Sequence, residues 1–119
     1  MHIILTHENA DFDAVASLLG AHKLYPDAQP ILPDRLNGNA AAFVNLYKNA
    51  LPFIARDQWR RRRIAKVTLV DTQKLPSLRG LTDEAGIHII DHHPLKIELR
   101  PGDTFEGEVI GATVTLLVE

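Results

Sequence analysis

Three short apolar runs in this chain each end in a carboxylate or an imidazole, and that repetition limits the folds open to it. Ile3-Ile4-Leu5-Thr6 leads into His7-Glu8-Asn9-Ala10-Asp11-Phe12-Asp13. Val67-Thr68-Leu69-Val70 leads into Asp71, and Gly86-Ile87-His88-Ile89-Ile90 leads into Asp91-His92-His93-Pro94. Such runs are too short for buried helices and read as strands with both faces covered.

The segments between them carry a different period. From Ala14 to Leu24, the residues Val15, Leu18, Leu19 and the Lys23-Leu24 pair fall near one helical face. The small residues Ala14, Ala16, Ser17, Gly20 and Ala21 allow that helix to pack closely on a sheet, and Tyr25-Pro26-Asp27 ends it. Ala28 to Leu32 reads as a second strand, with Pro30 pointing to an edge or a strand start. A second helix is predicted from Asn39 to Ala50, with Phe43, Leu46 and Tyr47 on one side and Pro52 closing it. The connection from Gln73 to Ala85 has helical character near Thr82, with Gly86 as its C-cap. Ile97-Glu98-Leu99 and Thr104-Phe105-Glu106 suit short strands. The alternation predicts one α/β domain over residues 1–119, a Rossmann-like parallel sheet flanked by helices on both faces with right-handed crossovers. In open sheets of this kind ligands bind outside the carboxyl ends of the strands, and all three polar endings fall there.

Composition narrows the function. With 119 residues, 45% of them hydrophobic, the chain can bury a core without cross-links. A net charge of -2 argues against a global nucleic-acid-binding field, though not against a local patch. The one basic run, Arg60-Arg61-Arg62-Arg63, offers contacts to nucleic-acid phosphates but reads rather as solvated surface, and Trp59 beside it offers a base-stacking face but reads rather as buried under a neighbouring helix. The absence of cysteine excludes disulfides and thiolate zinc sites. No Gly-x-Gly-x-x-Gly follows the first strand and no Gly-x-x-x-x-Gly-Lys occurs, which counts against nicotinamide and P-loop chemistry. No run approaches the roughly 20 apolar residues of a membrane span, and no signal peptide is recognisable. A cytoplasmic location without membrane partners is therefore expected. Gly111 to Glu119 looks like a helix cut short, so the sequence reads as a piece of a longer protein.

The chemistry lies in the three endings. His7, Asp11, Asp13, Asp71 and His92 together offer carboxylate oxygen and imidazole nitrogen, a donor set for borderline divalent ions rather than Ca²⁺. Paired ions roughly 3.5–4 Å apart acidify water and steady the phosphoryl oxygens of an in-line displacement. Each residue alone has a plainer reading: Asp11 or Asp13 as a helix N-cap, Asp71 as a turn cap, a lone His as a hydrogen-bonded filler. Asn9 orients a ligand or stabilises its turn. Arg35 and Asn37 follow the second strand, where they either point toward the same cleft or are ordinary loop polarity. His2, His22 and His88 sit in or beside apolar segments and are read as structural.

Together these residues resemble the DHH phosphoesterases. His7-Glu8-Asn9-Ala10-Asp11-Phe12-Asp13 is similar to that family's first motif, H-x-N-P-D-x-D, with Ala10 standing where proline is usual, a change expected to loosen the loop. Asp71 is similar to its second motif, Asp91-His92-His93 to the triplet that names it, and Gly111-Ala112-Thr113-Val114-Thr115-Leu116 to the opening of a later helix. The resemblance implies a Rossmann-like DHH domain and a manganese- or magnesium-dependent phosphoesterase with two ions per site. Family activities include manganese-dependent pyrophosphatases, RecJ-type exonucleases, oligoribonucleases, cyclic-dinucleotide phosphodiesterases and exopolyphosphatases. By position, His7 and Asp11 bind one metal, Asp13 and His92 the other, and Asp71 bridges them. His93 contacts the substrate phosphate or the leaving oxygen, and Asp91 supports the imidazoles. Asn9 and Arg35 are further substrate-binding candidates. The family's later metal-binding Asp and its C-terminal substrate lobe find no match in this sequence, which is thus expected to be an incomplete, N-terminal lobe. The stretch from Ile31 to Asn39 with its following helix resembles DHH modules fused to CBS and tRNA-nucleotidyltransferase or poly(A)-polymerase-like domains. The expected partner is a phosphate-containing substrate: an oligonucleotide, nucleotide or polyphosphate. The alternative is a non-catalytic nucleotide- or nucleic-acid-binding module of a larger protein.

Overall fold

The computed structural model describes residues 1–60, 62–76, 78–82, 84–91 and 95–106. Their strands are β1 (His2–Leu5), β2 (Gln29–Leu32), β3 (Ile54–Ala55), β4 (Lys66–Val70), β5 (Gly86–Ile90) and β6 (Thr104–Glu106). Two α-helices, α1 (Phe12–Leu24) and α2 (Gly38–Tyr47), follow β1 and β2. All pairings are parallel, in the order β3-β2-β1-β4-β5-β6. The predicted α/β class and parallel sheet are thus observed.

That order has a direct consequence. From β1 the chain steps one way to β2 and β3, and from β4 it steps the other way to β5 and β6. The reversal lies between β1 and β4, whose residues pair from His2 with Lys66 to Leu5 with Leu69. A crevice opens at the carboxyl ends of two strands whose connections diverge, and this is where open α/β sheets bind ligands.

Strand alternation sorts the core into two faces. Ile3, Leu5, Ile31, Val67, Leu69 and Ile89 point one way, and Ile4, Val70 and Ile90 the other. Leu18 and Ala21 of α1 cover the second face, and α2 packs on α1 through Ala40 and Val44. Of its expected anchors Phe43 packs against this cluster, whereas Leu46 is 75% exposed and Tyr47 is exposed as well. Alanine and valine let the two helices approach where larger side chains would hold them apart. Asn37 caps α2 by accepting from the Ala40 N–H (3.1 Å), and the helix ends at Tyr47 rather than at Ala50.

The first face is covered differently from the expectation of a helix. Among the described residues no α-helix joins its cluster; Trp59, Ile64, Leu78 and Leu81 from irregular chain do. Trp59 is buried, its indole N–H donating to the Arg79 carbonyl (2.9 Å). Gly80 makes this crossing possible: at φ +88°, a Cβ there would lie 2.0 Å from the Arg62 carbonyl oxygen. Thr82 and Ala85 form a turn, Gly86 opens β5 instead of capping a helix, and Ile97 to Leu99 is irregular. The segment 111–119 lies outside the described residues. Among those residues, no helix is long and apolar enough to cross a membrane.

Candidate functional site

The end of β1 and the end of β4 are tied together just before their polar residues. Thr6 Oγ1 donates to the Val70 carbonyl (2.7 Å) across this pair. The next residue on each strand is then His7 and Asp71. Asp71 turns sharply out of β4 with φ 56°, its N–H donating to the Ile90 carbonyl (3.0 Å). Aspartate is among the few residues that tolerate this left-handed conformation. One strand over, the Asp91 N–H donates to the Glu106 carbonyl (3.0 Å), which holds the end of β5 against β6.

His7 has a defined orientation. The Glu8 carbonyl lies 2.8 Å from Nδ1 and can only accept, so Nδ1 carries a proton. That leaves Nε2 facing Asp71 Oδ2 at 3.3 Å. In a neutral imidazole this is a lone pair aimed at a carboxylate, an arrangement that needs either a second proton or a cation. Burial pulls the His7 pKa down, but the Glu8 carbonyl and the Asp71 and Asp11 carboxylates outweigh it, and the net shift is upward. Asp71 is also shifted upward, first by burial and then by Asp13; His7 only partly offsets this. The group is electrostatically strained in the direction that a bound cation would relieve.

Asp11 combines both of its sequence readings. Oδ1 accepts from the Ala14 N–H (2.9 Å) and caps α1, and a carboxylate has lone pairs for a further partner. One ligand atom from each of His7, Asp11 and Asp71 lies within 4.8 Å of the others. Metal ligands are commonly imidazoles whose other N–H is held by a carbonyl, as His7 is. The donor set therefore fits a divalent cation. Asp13, Asp71 and Asp91 line the same cleft of about 710 Å³ with His7 and Asp11.

His92 and His93 lie outside the described residues. Asn9, at φ 54°, and Arg35 are exposed, and neither lines this cleft. Arg35 contributes backbone instead: its carbonyl accepts from the Ala10 N–H (3.3 Å), and the Asn37 N–H donates to the Ala10 carbonyl (2.9 Å). Ala10 therefore does not loosen the loop; it is fully buried and makes a bond that proline could not. Glu8 strengthens the same junction by accepting from the N–H groups of Asp34 (3.3 Å) and Arg35 (3.1 Å). His2 bonds Thr68 (2.7 Å), His88 bonds Thr104, and His22 the Ala28 carbonyl (3.1 Å), in keeping with structural roles. Arg60, Arg62 and Arg63 are exposed, and Arg63 reaches Glu84 at 3.8 Å; Arg61 lies outside the described residues.

Sequence reasoning missed the brace behind Asp91. Gln73 Oε1 accepts from the Lys96 N–H (2.7 Å), which fixes the amide orientation, so Nε2 donates to Asp91 Oδ2 (3.0 Å). Asp91 is only 1% exposed. Thr72, Gln73, Lys74, Lys96 and Ile97 complete the cleft. Their one signal in the sequence is nearness to Asp71 and to the Asp91 triplet.

A sequence model described as the DHH family, N-terminal domain, matches residues 2–119. An A-adding tRNA nucleotidyltransferase of Geobacter sulfurreducens is 32% identical over 126 residues, covering 98% of this chain and 14% of the relative. Its counterpart in Aquifex aeolicus is 34% identical over 123 residues with the same coverage. The chain thus spans about one seventh of the length of these curated relatives (14%). A solved Methanococcus jannaschii structure, assigned to the family II inorganic pyrophosphatases, superposes with a TM-score of 0.70 at 21% identity. It covers 98% of this chain and 37% of its own, and at that identity it shows a shared fold.

Proposed function

The chain belongs to the DHH family, a phosphoesterase superfamily, as its N-terminal domain, and on that premise we propose that it is a divalent-metal-dependent phosphoesterase module. The bond cleaved is a phosphodiester or phosphoanhydride of an oligonucleotide, nucleotide or polyphosphate. One observation carries the reading: one ligand atom from each of His7, Asp11 and Asp71 lies within 4.8 Å of the others at the topological switch point, with His7 Nδ1 held by Glu8 and Nε2 facing Asp71.

In this reading His7 and Asp11 would hold one Mn²⁺ or Mg²⁺, Asp13 and His92 would hold a second, and Asp71 would serve both. Cations there supply Lewis-acid chemistry, acidifying water and neutralising phosphoryl charge. The protein's own groups do the rest. The Glu8 carbonyl keeps the His7 proton on Nδ1, so Nε2 stays available. The Thr6 bond to Val70 keeps Asp71 at a fixed height beside His7. Asp91, held by Gln73, anchors the chain where His92 and His93 begin. His93 contacts the substrate phosphate or the leaving oxygen, and Asn9 and Arg35 contribute at longer range. The domain acts as the N-terminal lobe of a cytoplasmic enzyme whose substrate is selected partly by a second lobe.

A cation that binds only the folded state raises its stability, by about 2.7 kcal/mol at one hundred times Kd. Titrating Mn²⁺ while following the melting temperature tests the site. A rise in the wild type that disappears in Asp71→Ala is expected; no rise, or an equal rise in both, overturns it.

The names of the two relatives favour a second reading, a non-catalytic module that binds nucleotide or nucleic acid within a tRNA-processing protein. Hydrolysis of oligonucleotides and polyphosphate by the full-length protein separates the two. Activity that vanishes in Asp11→Ala with His92→Ala supports the phosphoesterase; no Mn²⁺-dependent activity in the wild type favours the binding module.

A further inference from the structure

The acidic cleft has a basic rim that the metal reading does not use. Lys74 and Lys96 line it together with Asp11, Asp13, Asp71 and Asp91. Among the described residues neither ammonium group forms an ion pair, although four carboxylates line the same space. Elsewhere in the molecule cations near acids do pair: Arg56 reaches Glu8 at 3.5 Å and Asp34 at 3.8 Å. In the cleft the carboxylates have other partners. Asp11 accepts from the Ala14 N–H, Asp71 faces His7, and Asp91 accepts from Gln73. The lysine heads are left with charge to offer.

Their backbones are held. The Lys74 N–H donates to Thr72 Oγ1 (3.2 Å), and the Lys96 N–H donates to Gln73 Oε1 (2.7 Å). Gln73 therefore joins the segment after β4 to the segment after β5, with Lys74 next to it in sequence and Lys96 bonded to it. The charge balance then matters. Four carboxylates and two ammonium groups leave the cleft at -2 with His7 neutral. Two divalent cations of the phosphoesterase reading bring it to +2; without the lysines it would be neutral. The surplus that attracts an anion to the loaded site comes from Lys74 and Lys96.

We propose that Lys74 and Lys96 form an anion subsite on the rim of the cleft, bridged by Gln73, that takes a phosphoryl group of the substrate. This rests on the phosphoesterase reading for the class of substrate, but the subsite itself does not need turnover. Ammonium groups on flexible stems act as point charges rather than as geometric forks. The subsite thus selects charge, and favours polyphosphorylated substrates over neutral or singly charged ones.

The test titrates inorganic phosphate into the full-length protein in saturating Mg²⁺ and follows thermal stability, with a parallel Mn²⁺ titration as control. Lys74→Ala and Lys96→Ala are both exposed truncations. Each is expected to weaken phosphate binding roughly tenfold, as loss of a charge-assisted contact does, with the Mn²⁺ shift retained and Lys74→Arg close to wild type. Phosphate affinity unchanged in both variants overturns the subsite, as does a wild type that binds no phosphate. Loss in one variant alone overturns the pair. Lysine-dependent phosphate binding without any Mn²⁺ shift keeps the subsite and overturns the metal reading instead.

Discussion

The side chains of Asp71 and Asp103 are each only 6% exposed, yet their environments push them in opposite directions. Asp103 is opposed by burial but accepts from the N–H groups of Ile87 (3.1 Å) and Arg100 (3.2 Å) and from the Arg100 guanidinium (3.2 Å), and its pKa is lowered. Asp71 is raised by burial and by Asp13, with His7 a partial offset. One carboxylate is solvated by the protein; the other is solvated poorly and sits among acids. Burial alone therefore says little about function. What separates a brace from a candidate ligand is whether the fold supplies the compensating donors.

Substitutions sharpen that contrast. Asp71→Ala should remove Mn²⁺-dependent stabilisation and reduce hydrolysis by more than the roughly 10–100-fold typical of a supporting residue. Steady-state kinetics on oligonucleotide or polyphosphate measures this; retained activity would break the comparison. Asp103→Ala should destabilise by about 1–2 kcal/mol, because it removes hydrogen bonds to the half-buried Ile87 N–H and to the exposed Arg100, and leave the Mn²⁺ shift intact. Denaturant unfolding with and without Mn²⁺ reads both quantities. Gln73→Ala should fall between the two, lowering metal affinity or turnover about tenfold to a hundredfold through Asp91, with little change in chemical stability.

The pH dependence of the metal-free protein gives the smallest effect and the clearest sign. The folded pKa of Asp103 is depressed, so its stabilisation is present above the ordinary carboxylate value and is lost as pH falls through the lower folded value. The folded pKa of Asp71 is raised, so the folded form binds more protons just above the ordinary value, and stability declines as pH rises through that window. Asp71→Asn should remove the decline and Asp103→Asn the acid loss. Melting curves across the acid range that are superimposable for both variants would remove the distinction.

Much of this was readable in the chain itself. β1, β4 and β5 announce themselves as apolar runs, α1 by its small residues, and the candidate ligands by their place at strand ends. The meeting of His7 with Asp71 was not readable from spacing, because these residues lie 64 positions apart and only the strand order makes β1 and β4 neighbours. β3 has two residues and leaves no periodic trace. The cover of the first face escaped because Trp59, Ile64 and Leu78 bury themselves from irregular chain, where helical spacing is no guide. Gln73 was missed for a related reason: a residue that links two loops has its partners set by tertiary contact alone.

The backbone at Asp71 has a consequence of its own. At φ 56° a glycine would sit without steric opposition, and it would also remove the poorly solvated carboxylate. Asp71→Gly should therefore be inert toward Mn²⁺ yet more heat-resistant, in metal-free form, than Asp71→Ala. Stability and chemistry ask for different residues at this one position. A related chain with no cation to hold there would accommodate glycine or asparagine at this position, and that replacement would be visible in its sequence alone.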